Sequence, residues 1–312
     1  MDPSSQAYPA LVAQSEGFLL TNLGYGGAQA CDIMPLEVFP SHAEITTLPA
    51  LTTLLVGTND IDSTLSPGTE EDFNTCQLAT LSWLGLPDFY KVRSNATGVV
   101  STGASHLDPT NGYNALFTDL PGASVSFPVT LTQAGAVYLW YRILNNSTGV
   151  FTYAVDSQVL GSLENTLSIP IGRRASDSIA FFRIPSVAEG AHIITLTQAS
   201  ASGSAVGIVA VGTPPPHHPS NLPLVLVGTI PKQLFYSGGG PCAFLPASDA
   251  ACLAYTGYIE ANVDLLTNDG LNLKLFDTRK YMAGTLVDMT DGLHPNALGQ
   301  QEIAHSLLDA LQ

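Results

Sequence analysis

Apolar residues recur with two different periods along the 312-residue chain, and the change of period divides it into parts. Residues 8–16 place apolar side chains on one face of a predicted helix, with Pro9 in its first turn and Gly17 after its end. Short apolar runs predict buried parallel strands at residues 18–23 and 51–56. Further helices are predicted at residues 31–38 and 70–85. This alternation of helix and strand is typical of a doubly wound α/β sheet.

The pattern changes between residues 95 and 212, where no stretch has helical periodicity. Short segments alternate apolar with polar residues, and turn-forming sequences such as Asp119-Leu120-Pro121-Gly122 separate them. Such a series predicts an antiparallel β-sandwich or jelly roll. The predicted strands cover residues 124–131, 136–144, 150–155, 179–184 and 192–198.

The α/β pattern returns after a proline-rich stretch, residues 213–221, which we interpret as a stiff linker. His217 and His218 lie in this stretch, and a solvated linker is favoured over a metal site there. Beyond it, strands are predicted at residues 222–230 and 271–276 and a helix at residues 253–266. A closing helix follows, and its apolar stripe consists of Ile303, Ala304, Leu307, Leu308 and Leu311. His305 falls off that stripe and is predicted to be solvated.

The sequence therefore predicts an α/β domain with a flavodoxin-like parallel sheet and an inserted β-sandwich. The predicted boundaries place the first part of the α/β domain at 1–94, the inserted domain at 95–212, the linker at 213–221 and the second part of the α/β domain at 222–312.

Composition and charge exclude several classes of function. Hydrophobic residues make up 45% of the chain and charged residues 12%, which is typical of a folded globular protein. With a formal net charge of -16, the surface repels phosphate backbones and anionic membranes. We therefore expect neither a nucleic acid nor a membrane as partner. No apolar run has the length of a membrane span, the sequence shows no signal peptide, and we expect a monomer.

The four cysteines form no Cys-x-x-Cys pair, so a structural zinc site is not expected. A loop disulfide between Cys242 and Cys252 would suit a secreted or extracytoplasmic protein, and free buried thiols are an equally weighted alternative. The sequences Asn95-Ala96-Thr97 and Asn145-Asn146-Ser147 match glycosylation sequons, which have meaning only in a eukaryotic secretory host.

Three polar loops follow predicted strands of the α/β part: Gly24–Ala28, Gly57–Asp60 and Asp291–His294. The carboxyl ends of parallel strands share one edge of a sheet, so these loops can converge. A glycine N–H and an asparagine amide are oxyanion donors, and an Asp–His pair supplies a base with its orienting group. By itself, Asp-x-x-His is also compatible with an ordinary solvated loop.

At these residues the chain resembles the SGNH, or GDSL-like, hydrolase family. The segments Asn22–Ala28, Gly57–Asp60 and Asp291–Pro295 resemble three of the conserved blocks of that family. The resemblance implies that Gly27 and Asn59 form an oxyanion hole, that His294 is the general base and that Asp291 orients it. It covers residues 6–94 and 222–312, and the predicted sandwich lies outside it.

The first block of the family, a strand that ends in Gly-Asp-Ser and carries the nucleophile, has no counterpart here. Its expected position lies before Met1, and neither Ser4 nor Ser5 follows an apolar strand. We interpret this either as a polypeptide that begins further upstream, the favoured explanation, or as a remnant that binds ligands without hydrolysing them. Without that strand, its neighbours in the sheet should have unpaired backbone groups and uncovered apolar faces.

The expected function is that of a serine esterase or acyl hydrolase that cleaves carboxylic esters, with acetylated carbohydrate as one candidate substrate. The chain as written is expected to show little or no activity, because the nucleophile is missing. The alternative is a non-catalytic carbohydrate-binding or adhesion protein in which Tyr138, Trp140 and Tyr141 of the sandwich stack on sugar rings. A position for these three aromatics in the core and at the rim of the sandwich is the favoured interpretation. Neither function calls for a metal or an organic cofactor.

Overall fold

The computed structural model describes residues 6–41, 51–61, 70–144, 149–164, 175, 177–199, 206–215, 222–232, 250–283, 285–291 and 294–312. The described helices are α1 (Tyr8–Glu16), α2 (Ala30–Ile33), α3 (Phe39–Ser41), α4 (Glu70–Gly85), α5 (Ala250–Asn268) and α6 (Ala297–Leu311). A π-helical turn, Met34–Val38, joins α2 to α3. The first strand, β1 (Leu51–Leu54), belongs to the α/β part. The first strands of the sandwich are β2 (Lys91–Arg93), β3 (Val100–Thr102), β4 (Ser105–Asp108) and β5 (Ala115–Thr118).

The remaining strands comprise the rest of the sandwich and two strands near the C-terminus. They are β6 (Ser124–Leu131), β7 (Gly135–Leu144), β8 (Val150–Val155), β9 (Gln158–Glu164), β10 (Asp177–Val187), β11 (Gly190–Gln198), β12 (Val206–Gly212), β13 (Leu224–Gly228) and β14 (Leu273–Phe276).

A three-stranded parallel sheet in the order β1-β13-β14 forms the centre of the α/β part. Because side chains alternate along a strand, β13 buries residues on both faces of this sheet. Leu226 packs with Val12 of α1 and Leu307 of α6. Val225 and Val227 belong to the larger core that contains residues of α4 and α5. Helices therefore cover both faces, as predicted, while the full flavodoxin-like strand order stays a prediction.

The ends of the helices follow the capping signals in the sequence. The predicted first helix is confirmed as α1, and Gly17 ends it in the left-handed conformation at φ 71°. Asn296 caps α6 by accepting hydrogen bonds from the N–H groups of Leu298 and Gly299. In α6 the predicted apolar stripe is buried or half-buried and His305 is exposed, as the pattern indicated.

The strand predicted at residues 18–23 is wrong. Phe18, Leu19 and Leu20 form no strand and are exposed, Leu19 completely. Within the described residues, β1 pairs with β13 on one side only and forms the edge of the sheet, and the buried Thr52 Oγ1 lacks a hydrogen-bond partner. An apolar run becomes a strand only where a neighbouring strand pairs with its backbone groups.

The predicted β-sandwich is present as two antiparallel sheets. One has the order β10-β7-β12-β5-β4 with β2 also paired to β12, and the other has the order β3-β6-β11-β8-β9. Strand β6 packs against β12 and β5, so the apolar inner faces of the two sheets meet in one core. Strand β2 pairs with β12 although it precedes the predicted boundary at residue 95.

The sandwich packs directly on the α/β part, mainly through β10 against α4. Trp140 of β7 is fully buried, and its Nε1 donates to Ser82 Oγ of α4 at 2.9 Å. Tyr138 is also fully buried, and its hydroxyl donates to Asp269 Oδ2 at 2.8 Å. Tyr141 is buried as well. The stacking of Tyr138, Trp140 and Tyr141 on sugars is therefore excluded, because β7 is covered on both faces.

A disulfide that the sequence analysis did not propose joins Cys31 of α2 to Cys76 of α4. This disulfide links α2, which follows the glycine-rich loop, to α4, the helix against which the sandwich packs. Cys252 is also disulfide-bonded, which excludes a free thiol at this position. Its predicted partner, Cys242, lies outside the described residues.

Candidate functional site

Asp291 and His294 form a hydrogen-bonded pair on the exposed loop before α6. His294 Nδ1 lies 2.7 Å from Asp291 Oδ2, and the backbone N–H of His294 donates to Asp291 Oδ1 at 2.8 Å. With the carboxylate ionised, Nδ1 carries the proton and Nε2 is left as the basic nitrogen. No described residue forms a hydrogen bond with Nε2, so this nitrogen is available to a substrate.

The loop that carries this pair is held against the start of α6. Asp288 is buried, its Oδ1 accepts the N–H of Thr285, and its carbonyl accepts the N–H of Asn296. Thr290 N–H donates to the carbonyl of His294 at 2.8 Å. Gly299 is required here, because a Cβ at this position would lie 2.3 Å from the carbonyl oxygen of Asp288. The loop therefore fixes the position of the imidazole before any ligand binds.

The two predicted oxyanion loops contact each other. Asn59 Nδ2 donates to the carbonyl of Ala28 at 3.0 Å, and Gln29 Nε2 donates to the carbonyl of Asn59 at 3.1 Å. Gly27 has φ 81°, a conformation that favours glycine, and its N–H meets no acceptor among the described residues. The structure thus brings Asn59 and the segment after Gly27 together through a side-chain hydrogen bond, while their role as an oxyanion hole stays a prediction.

The predicted site residues occur as two pairs in the structure. Asp291 bonds His294, and Asn59 bonds the residue next to Gly27. Asn59 follows β1 and the Asp291–His294 loop comes after β14 of the same parallel sheet, but no hydrogen bond between His294 and Asn59 is present in the described part of the chain. No described serine hydroxyl bonds His294 either, and Ser4 and Ser5 lie outside the described residues.

Asp60, next to Asn59, is a functional candidate that the sequence analysis did not single out. Its two carboxylate oxygens accept the backbone N–H of Ala30, at 3.0 and 3.1 Å, at the start of α2. Burial raises the pKa of Asp60 to about 7, and the nearby charges of Asp32 and Asp72 act in the same direction. Its role in this geometry is to tie the loop of Asn59 to the loop of Gly27. The sequence signal that could have identified Asp60 is its position directly after Asn59, in the loop at the end of a predicted strand.

A cavity of about 160 Å³ adjoins the glycine-rich loop, lined by Leu23, Leu36, Glu37, Pro40 and Ser41. Glu37 Oε1 accepts the backbone N–H of Tyr25 at 2.9 Å and so fixes this loop from the outside. Burial raises the pKa of Glu37 to about 7. Glu37 therefore acts here as a structural partner of the glycine-rich loop.

Other sequence-based candidates do not add to this site. His217 and His218 lie outside the described residues, and within the described part no three His, Cys, Asp or Glu side chains are grouped to hold a metal ion. Among the described helices, none combines the length and apolarity that crossing a membrane would require.

Comparisons with known proteins show likenesses in fold only. No family model and no curated protein sequence matches this chain. A family 35 carbohydrate-binding module from Clostridium thermocellum is similar at 14% identity and a TM-score of 0.32, over 39% of this chain and 95% of that module. A cycloisomaltooligosaccharide glucanotransferase from Paenibacillus sp. is similar at 18% identity and a TM-score of 0.31, over 39% of this chain and 18% of the enzyme.

A two-domain esterase active on acetylated mannans is similar at 14% identity and a TM-score of 0.32, over 39% of this chain and 34% of the esterase. The likeness thus spans about a third of that esterase and less than a fifth of the glucanotransferase. At these identities and TM-scores, the function of the chain has to be argued from its own residues.

Proposed function

We propose that the loops at the carboxyl edge of the parallel sheet form the general-base and oxyanion-binding parts of a carboxylic ester hydrolase of the SGNH type. The observation that carries this proposal is the Asp291–His294 pair, with Oδ2 and Nδ1 2.7 Å apart and Nε2 open to a ligand. In this role Nε2 accepts the proton of an attacking hydroxyl, and Asp291 holds the tautomer and stabilises the imidazolium.

Gly27 and Asn59 are assigned to the oxyanion hole in the same proposal. The Gly27 N–H meets no described acceptor, and Asn59 Nδ2 uses one of its two hydrogens for the carbonyl of Ala28, which leaves the second hydrogen for a ligand. Loss of one such donor typically costs about 2.7–4 kcal/mol of transition-state stabilisation. Acetylated carbohydrate is our proposed substrate class, because an esterified sugar is neutral and the chain carries a net charge of -16.

The proposal requires both pairs to act on one ligand, which a titration with acetate tests. Acetate is both a carboxylate oxyanion and the product of deacetylation. We expect the NMR signals of the Gly27 N–H, the Asn59 side-chain amide and the His294 ring to shift with a single affinity. The Asn59→Ala variant should lose the shift at Gly27, whereas Asn95→Ala, at an exposed position outside the site, should not. Shifts at His294 alone, or with a different affinity, would refute a common site.

A second candidate function is carbohydrate binding at the turn Asp88–Tyr90, which directly precedes β2. The observation that favours it is Phe89, which is 69% exposed and has its ring centroid 4.2 Å from that of Tyr90. Exposed aromatic rings are the side chains on which sugar rings stack, and the aromatics predicted for this role are buried.

Retention on insoluble neutral polysaccharides tests this second function. We expect the full chain to be retained and Phe89→Ala to be released. The matched control is Leu253→Ala, which removes an exposed apolar side chain from α5. Equal retention of Phe89→Ala and the unaltered chain would remove Phe89 from the proposal, and no retention of either would remove the function.

A further inference from the structure

The turn after β2 presents Asn95 at a fixed place on the surface of the sandwich. Ser94, the preceding residue, is buried; its N–H donates to the carbonyl of Val209 at 3.0 Å and its hydroxyl to the carbonyl of Ile208. The N–H of Ala96 then donates to the carbonyl of Arg93 at 2.9 Å, which closes a turn over Ser94 and Asn95. The backbone is therefore anchored on both sides of Asn95.

Asn95 and Thr97 lie at the surface, beside the anchored residue Ser94. Both residues are exposed, and neither side chain forms a hydrogen bond with a described residue. Asn95-Ala96-Thr97 is an Asn-x-Thr sequence without proline at its middle position, which is the requirement for attachment of an N-linked glycan. A glycan at Asn95 would break none of the contacts that hold the turn.

The cysteines give an independent indication of the compartment. Cys31 and Cys76 form a disulfide, and Cys252 is disulfide-bonded as well. Disulfides persist in proteins that pass through an oxidising compartment. In eukaryotic cells, N-linked glycans are attached in that same compartment.

We propose that Asn95 is an N-glycan acceptor of this protein, independently of its ester-hydrolase or carbohydrate-binding function. The co-reactant is an oligosaccharide joined through its anomeric carbon to a lipid pyrophosphate. A bond forms between that carbon and Asn95 Nδ2, the bond from the carbon to the pyrophosphate oxygen breaks, and Nδ2 gives up one proton. The lipid pyrophosphate leaves with the electron pair of the broken bond.

The test is to secrete the full chain from a eukaryotic host and analyse the disulfide-bonded protein by mass spectrometry. Treatment with an N-glycosidase in heavy-oxygen water should convert residue 95 to a labelled aspartate. Asn95→Gln and Thr97→Val should abolish the label at this position, and Thr97→Ser, which keeps the hydroxyl, should retain it. Thr97→Val is close in shape to threonine, so its folding should be unaffected.

Two results would overturn the assignment. One is an unmodified peptide around Asn95 in the secreted, disulfide-bonded protein. The other is equal labelling of residue 95 in the Thr97→Val variant. The second sequon, Asn145-Asn146-Ser147, lies outside the described residues and is read separately in the same experiment, so a glycan found there alone also counts against Asn95.

Discussion

Arg183 of the β-sandwich forms a bidentate ion pair with Asp269, which follows α5 of the α/β part. Arg183 Nε lies 2.6 Å from Asp269 Oδ2, and a second nitrogen of the guanidinium bonds Oδ1. Asp269 Oδ2 also accepts the hydroxyl of the buried Tyr138. One carboxylate therefore satisfies two sandwich side chains, which couples the stability of the two parts.

Replacement of Asp269 by alanine should uncouple the unfolding of the sandwich from that of the α/β part. Breaking a buried ion pair by removal of one partner typically costs about 3–5 kcal/mol, and here the buried hydroxyl of Tyr138 loses its acceptor as well. We expect a lower urea midpoint and separate unfolding signals for the sheet and the sandwich. Asp309→Ala, which removes the exposed partner of Lys280, serves as the control and should change little. An Asp269→Ala variant that unfolds at the original midpoint would contradict this role.

Stability should decrease as the pH rises from about 4 to about 7, because burial raises the pKa of Asp60 to about 7. In this range the folded state keeps the Asp60 proton and the unfolded state has released it. The unfolded state then binds fewer protons, so each pH unit costs about 1.4 kcal/mol for such a group.

The Asp60→Asn variant should lose this part of the pH dependence, as measured by urea unfolding at several pH values. It keeps an oxygen to accept the N–H of Ala30. Glu16→Gln, at an exposed position in α1, should leave the slope unchanged. A slope that is equally steep in Asp60→Asn and in the unaltered chain would assign the effect to other carboxyl groups.

The exposed segment Phe18–Leu20 and the edge strand β1 should promote self-association. Leu19 is fully exposed, and no charged residue or proline interrupts β1. We expect Leu19→Asp to reduce light scattering at high protein concentration without lowering the unfolding midpoint. Leu253→Asp, at another exposed apolar position, is the control. Equal scattering of all three proteins would show that the segment is not involved.

A fluorophosphonate probe should not label this chain rapidly or stoichiometrically. Such probes react with an activated serine, and no described serine hydroxyl bonds His294. The prediction is checked by intact mass spectrometry of the treated protein, with a serine hydrolase of known activity as positive control. Rapid labelling that is lost in His294→Ala would show that the chain carries its own nucleophile.

Local sequence signals predicted much of the fold, because helices and hairpins are specified by residues close in the chain. Pro9 and Gly17 bounded α1, an apolar stripe marked α6, and alternating residues marked β6, β8 and β11. The resemblance to the hydrolase family pointed to the pairing of Asp291 with His294, three residues apart. Two interactions between distant residues were not predicted: the disulfide of Cys31 with Cys76 and the packing of Trp140 against α4.

The sequence by itself determined the positions of α1, α6 and several sandwich strands. It also showed that the net negative charge disfavours nucleic acid and that the residue types needed for ester hydrolysis are present. Only the tertiary structure decided which of those residues meet and which apolar runs are covered. Phe18–Leu20 has the composition of a strand and remains exposed, because pairing depends on a neighbouring strand and not on its own side chains. The contact between Asn59 and the glycine-rich loop likewise depends on tertiary structure. The loop after β1 and the segment at the start of α2 are distant in sequence, and hydrogen bonds from Asn59 to Ala28 and from Ala30 to Asp60 join them.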